Sequence, residues 1–221
     1  NHLSALTNQA LIVAAVVGRE FDFSLLRAAL PDASVDSLLR AIDEALHAVM
    51  IEPLPSRGAE WYQFRHALIR HAIYMSIPPT GRVRWHATIA RCLETLLGDR
   101  DDDRAAELAQ NAACAGALIE PAMLAKYSCI AGERLLSVHA FEEALSHFER
   151  ASQAREGLPF DEAAAAALVG LGRAQAATAA RWNRQQGWLT LRRAIDYYVK
   201  AGEIGSAVAI AIDPHISAEG A

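Results

Sequence analysis

The chain has 221 residues, 52% hydrophobic, 21% charged and 7% aromatic, a globular composition that excludes a disordered or collagen-like segment. Its net charge of −5 and pI near 5.9 give the chain as a whole no electrostatic attraction to nucleic acid or anionic membrane. About a fifth of the residues are alanine, lysine is confined to Lys126 and Lys200, and β-branched residues are few, so helix is favoured and an all-β fold is excluded.

The first predicted helix covers residues 3–17 and is closed by Gly18. Residues 19–23 read as an extended link, after which Ser24 caps a short helix ended by Pro31. Ser34 caps a third helix, with Val35, Leu38, Leu39, Ile42, Leu46 and Val49 forming one apolar stripe. Residues 50–54 and 61–65 are short extended runs on either side of a polar loop containing Pro55 and Gly58, the pattern of a β-hairpin. A helix over 66–77 stops at Pro78-Pro79, because a residue before proline is pushed out of the α region. Three helices followed by a hairpin is the order of a winged-helix domain.

From Arg82 onward the pattern is helical. Trp85, Ile89, Cys92, Leu93 and Leu96 form a stripe ending at Gly98, and the acidic run 99–103 is a loop before a helix that carries Leu108 and ends near Gly116. Pro121 opens a helix to about residue 138, and others follow at about 141–155, 161–180, 183–201 and 203–212. Cys92, Cys114 and Cys129 are odd in number, unpaired in spacing and set in apolar stretches, which reads as buried thiols in a reducing, cytoplasmic compartment. Residues 10–17 are too short an apolar run to span a bilayer and lack the flanks of a signal peptide, so no membrane partner is expected.

The second half repeats. Gly132, Ala144, Phe148 and Ala151 have the relative spacing of the small and aromatic positions in a tetratricopeptide repeat, where small residues let antiparallel helices approach and an aromatic fills the gap to the next pair. Leu171-Gly172 follows Ala131-Gly132 after forty residues. Its partner helix fits less well, with Gln185 and Leu189 where alanine and an aromatic are expected, and Ala201-Gly202-Glu203 opens a truncated third unit. The expected fold is therefore mainly α: a winged-helix domain with a small β-hairpin over 1–79, a helical connector over 80–118, and a tetratricopeptide-like array over 119–221. A generic helical bundle is the alternative for the last part.

The run Phe64-Arg65-His66-Ala67-Leu68-Ile69-Arg70-His71-Ala72-Ile73-Tyr74, after a hairpin and before Pro78-Pro79, resembles the winged-helix region of signal-transduction ATPases with numerous domains. The nearest group is the one fused to adenylate cyclase or LuxR-type regulators. Val17-Gly18-Arg19-Glu20-Phe21, Ala131-Gly132-Glu133-Arg134 and Arg193-Ala194-Ile195-Asp196-Tyr197-Tyr198 agree with it, and together these phrases span most of the chain. The resemblance implies a nucleotide-binding core upstream and repeats downstream. No G-x-x-x-x-G-K-[ST] occurs here, and Gly170-x-Gly172 lies in an alanine-rich helical stretch with no strand before it. The start at Asn1 rather than Met is read as that of a piece of a longer chain. The expectation is no cofactor in this segment, ATP or ADP in the parent, and no catalysis.

The wider group, plant resistance proteins included, carries a Met-His-Asp motif after the hairpin whose histidine touches the β-phosphate of ADP. His66 holds that place here, with Arg65 and Ala67 replacing the flanking residues, so His66 and Arg65 are the implied phosphate contacts once the upstream domain is present. An imidazole at a helix N-terminus suits a phosphate, since free backbone N–H groups already favour anions there; the plain alternative is that His66 only caps its helix.

On the repeats, Lys126, Cys129, Glu133 and Leu136, then Val169 and Arg173, fall on the expected concave face, where a protein or small-molecule inducer would sit; alternatively they pack against the next unit. Other constellations carry less. His66 and His71 are spaced wrongly for two metal ligands on one helical face, His139 and His147 read as surface residues, and Asp101-Asp102-Asp103 as a solvated cap. Glu142-Glu143 and Asp161-Glu162 stand at helix starts, where the dipole favours them. Asp36, Asp43 and Glu44 against Arg40 make the third helix a poor reader of DNA, so DNA is expected only through other domains. Arg181-Trp182-Asn183-Arg184 with Trp188, Arg192 and Arg193 could hold single strands, though a solvated repeat helix with Trp182 and Trp188 packed between units explains the same residues more cheaply. A winged helix acting directly on DNA and a free-standing scaffold remain the competing functions.

Overall fold

The computed structural model describes residues 3–97, 104–178 and 181–212, with the side chains of 181–184 excepted. Gly98, the acidic run 99–103 and the side chains of Arg181 to Arg184 therefore lie outside the described residues. The chain is mainly helical with one small antiparallel sheet, and its contacts divide it into two compact units. One comprises residues 1–100 and 110–119, the other 101–109 and 120–221.

In the first unit, α1 (Ala5–Val17) is apolar almost all round and accordingly central, touching α2 (Phe23–Ala29), α3 (Val35–His47), α4 (Ala67–Ser76) and α5 (Pro79–Leu97). The hairpin forms as expected from β2 (Ile51–Pro53) and β3 (Trp61–Phe64), closed by Leu54 N–H donating to the Trp61 carbonyl at 2.8 Å. The extended link is more than a link: β1 (Glu20–Asp22) pairs with the outer side of β3, giving the order β1-β3-β2 with Phe21 opposite Tyr62 and Ile51 opposite Phe64. Asp22 rather than Ser24 caps α2, accepting from Leu25 N–H at 2.9 Å, while the Ser24 hydroxyl faces Glu60.

The α3 stripe is rotated from its expected position. Leu38, Ala41, Ile42 and Ala45 are buried, whereas Val35, Leu39 and Val49 are exposed. In α5, likewise, Leu96 is exposed and Cys92 half-buried, and the core face is His86, Ala87, Ile89, Ala90, Leu93 and Leu97. In both helices small alanines take core places that a count of large apolar residues assigns elsewhere. Cys114, expected to be buried, is exposed near the end of α6 (Ala105–Ala115), where Gln110 Nε2 reaches its sulfur at 3.5 Å.

In the second unit, α7 (Pro121–Ser137), α8 (Phe141–Ala154), α9 (Glu162–Ala177), α10 (Arg181–Lys200) and α11 (Ile204–Ala211) each pack on the next, and α7 also touches α9. Two clusters hold the stack. Phe148 gathers Leu136, Ala144 and Ala174, and Leu191 gathers Ala165, Tyr198, Ala207 and Ile210. A Cβ on Gly132 would stand 2.7 Å from the Phe148 ring and one on Gly172 2.4 Å from Leu191 Cγ, so glycine is what lets these helices close.

The second helix pair keeps this arrangement in a different register from the expected one. Gln185 and Leu189 are exposed, and the counterparts of Ala144, Phe148 and Ala151 are Gly187, Leu191 and Ala194, all buried. The first helices repeat at forty residues and the second helices at forty-three, because α10 carries about one extra turn ahead of its contact with α9.

Candidate functional site

Two rigid anchors fix the position of Arg65 and His66. Phe64, fully buried at the end of β3, donates its N–H to the Arg19 carbonyl at 2.9 Å, and Arg65 N–H donates to the Met50 carbonyl at 3.1 Å. The chain then turns into α4 with His66 as its N-cap residue at φ −133° and ψ 135°. The His66 side chain makes no capping hydrogen bond, and both Arg65 and His66 are exposed. The first N–H groups of a helix lack intrahelical acceptors, and the exposed Arg65 and His66 immediately precede those of α4. Arg70, one turn on, donates from Nε to the Ala15 carbonyl at 3.0 Å and ties α4 to the end of α1.

Behind this surface lies a polar network that the sequence did not announce. The Tyr74 hydroxyl meets His86 Nε2 at 3.1 Å, and His86 Nδ1 meets Asn111 Oδ1 at 2.9 Å, linking α4, α5 and α6. The amide oxygen of Asn111 can only accept, so His86 carries its proton on Nδ1 and Nε2 accepts from Tyr74. Burial pushes the His86 pKa down, the Asn111 hydrogen bond opposes this, and Arg70 adds to the lowering. Arg82 stacks over Tyr74, 4.8 Å from the ring centre, and donates to the Ile77 and Met75 carbonyls.

At the other end of α1, Glu44 of α3 accepts from Ser4 N–H at 2.9 Å and from the Thr7 hydroxyl. One of the carboxylates expected to make α3 acidic is thus committed to capping a neighbouring helix, with its pKa lowered by the Thr7 bond first and the Ser4 bonds next. Asp36, Arg40 and Asp43 remain exposed on α3. Beside them Val35, Leu39, Leu96 and Tyr62 line an open groove of about 560 Å³, with Arg27 and Glu60 on its walls.

The six residues expected on the repeat face are spread over distinct environments. Leu136 is 7% exposed within the Phe148 cluster, Cys129 packs against that cluster, and Val169 packs against the Leu191 cluster. Burial, with Glu133 nearby, pushes the Cys129 thiol up to about 11, which keeps it protonated and unreactive at neutral pH. Glu133 and Arg173 form an ion pair at 3.1 Å between α7 and α9, at positions forty residues apart. Lys126 is exposed and lies 5.0 Å from the Tyr127 ring centre. Of the six, Lys126 and Glu133 are the exposed ones. His147, expected at the surface, is half-buried on α8 with Nδ1 enclosed and, among the described residues, without a hydrogen-bond partner, and burial lowers its pKa.

Among the described residues no group of three or more His, Cys, Asp or Glu stands close enough to hold a metal ion, and no helix is long and apolar enough to cross a membrane. Comparison with family models, with curated proteins and with solved structures returns no match.

Proposed function

We propose that this chain is a non-catalytic regulatory segment of a multidomain signalling ATPase of the LuxR-type regulator group, with a winged-helix unit followed by tetratricopeptide-like repeats. The observation that carries the reading is the exposed pair Arg65–His66 at the start of α4, where the histidine leaves its own helix uncapped. A phosphate from an upstream nucleotide-binding domain would find three kinds of donor there. The Gly132–Phe148 and Gly172–Leu191 contacts support the repeat half of the reading, because they place equivalent small and large residues in successive helix pairs. A protein or small-molecule inducer held by the repeats would bias whether the winged helix stays closed on ADP.

The mechanism is one of position and needs no reacting group from this segment. His66→Ala in the full-length parent speeds ADP release, and unchanged release overturns the phosphate role. The reading with DNA held directly by α3 is disfavoured by Asp36 and Asp43, which would face phosphates with only Arg40 to answer them. A salt-dependent shift assay on this chain separates the two, with no specific retardation expected.

A further inference from the structure

Between Trp61 and Leu93 the chain carries five arginines and three histidines and not one Asp or Glu, although the whole molecule is acidic. Helix α4 lies in the middle of this stretch and contains no buried residue, unlike α1, α2, α3 and α5 of the same unit. Its inner face, with Ile69, Arg70, Ile73 and Tyr74, is the half-buried one. Its outer face is a row at helical spacing: Leu68, 80% exposed, Ala72, and Met75, 53% exposed, with His71 alongside. A leucine that exposed at the start of an apolar row is a surface with an unmet burial opportunity.

The basic groups of the stretch are not equally free. Arg70 and Arg82 are used on backbone carbonyls and the Tyr74 ring, and Arg91 donates to the Leu118 carbonyl. Arg65, just before α4, and Arg84, on α5, are exposed, and among the described residues neither guanidinium has a hydrogen bond or ion pair. The outer face of α4 is thus an apolar row on a segment of chain whose charged side chains are all basic.

We infer that the outer face of α4 docks an acidic amphipathic helix of a partner protein, whose apolar row covers Leu68, Ala72 and Met75 and whose flanking carboxylates meet the exposed Arg65 and His71. Helix-on-helix docking is read through anchors at such spacing, and complementary charge sets the partner and speeds encounter. A second copy of this chain fits worse, since two α4 faces would bring like charges together with no carboxylate in either. Nucleic acid fits worse as well, because its phosphates would pair with the basic rim but leave the apolar row without a partner. The inference stands apart from the nucleotide reading, since ADP release reports on His66 and this docking on Leu68 and Met75, with Arg65 common to both.

The test uses the purified chain and a fluorescent synthetic peptide helix, with leucine at positions i, i+4 and i+7, glutamate on both flanks and alanine elsewhere. A second peptide has lysine in place of every glutamate. The acidic peptide binds, more weakly as salt rises, and the lysine peptide does not. Leu68→Asp and Met75→Asp each weaken binding by about tenfold or more, and Arg65→Glu weakens it too, while thermal melting stays that of the native chain because these side chains are exposed. Unchanged binding in Leu68→Asp and Met75→Asp overturns the inference, as does equal affinity for the lysine peptide. So does duplex DNA binding that responds to Arg65→Glu and not to Leu68→Asp, or a dimer of the chain that Leu68→Asp dissolves while the peptide fails to bind.

Discussion

The ring of Phe148 on α8 occupies the space that a side chain on Gly170 of α9 would need: a Cβ there would lie 1.9 Å from ring atom Cε1. Gly132 of α7 presses on the same ring, with its would-be Cβ 2.7 Å away. One aromatic is therefore held between two glycines on two helices, and neither side leaves it room to swing aside. Gly170→Ala is expected to destabilise the protein by about 1–3 kcal/mol through overpacking. Gly205→Ala, at an exposed position of α11 with nothing within 4 Å of the added methyl, should instead stabilise by about 0.5–1 kcal/mol. Urea unfolding of the two variants checks this, and Phe148→Leu added to Gly170→Ala should recover part of the loss.

The shifted register of α10 makes a second prediction. Leu191 is 1% exposed and central to its cluster, and Leu189, two residues earlier, is 54% exposed. Leu191→Ala should cost about 2–5 kcal/mol, and Leu189→Ala should stay within about 0.5 kcal/mol of the native chain. Equal losses at both positions in denaturant titrations would refute the register.

Glu44 predicts an acid-sensitive tie between α1 and α3. Its folded pKa is lowered by the Thr7 and Ser4 hydrogen bonds, so the stabilisation is present above the ordinary value of 4.5 and lost as pH falls through the folded value. Glu44→Gln should lower Tm at neutral pH, and the gap from the native chain should close in acid. Melting curves across that range measure it.

His86 predicts a loss of stability that starts nearer neutrality. Burial keeps it neutral in the folded chain, so the unfolded chain takes up the proton first and stability falls as pH drops below 6.5. His147, lowered by burial and then by Arg150, with Glu143 opposing, acts in the same direction. His86→Gln should therefore make the slope of unfolding free energy against pH shallower below 6.5 without abolishing it.

Periodicity made the helices and the β2–β3 hairpin legible, because Leu38 and Ile42, Phe148 and Ala151, and the Pro55–Gly58 loop carry strong local signals. It missed β1, whose three residues are too few to show an alternation and whose pairing with β3 is a long-range choice. It turned α3 and α5 slightly because Ala41, Ala45, Ala87 and Ala90 are core residues that look neutral on a hydrophobic count. It assigned α10 to the wrong register because an offset of forty-one residues from α8, which sets Gln185 and Leu189 opposite Ala144 and Phe148, falls short of the forty-three that the longer α10 requires. At the site, Arg65 and His66 are singled out by a local motif and are exposed, while Tyr74, His86 and Asn111 come from three helices and share no spacing to betray them.

The proposed regulation works by position rather than by chemistry, with His66 as its proposed contact to nucleotide. Release of a fluorescent ADP from the full-length parent, followed by stopped flow for the native protein and His66→Ala, tests it most directly. Release is expected to be several-fold faster in the variant; identical release traces would contradict the phosphate role of His66.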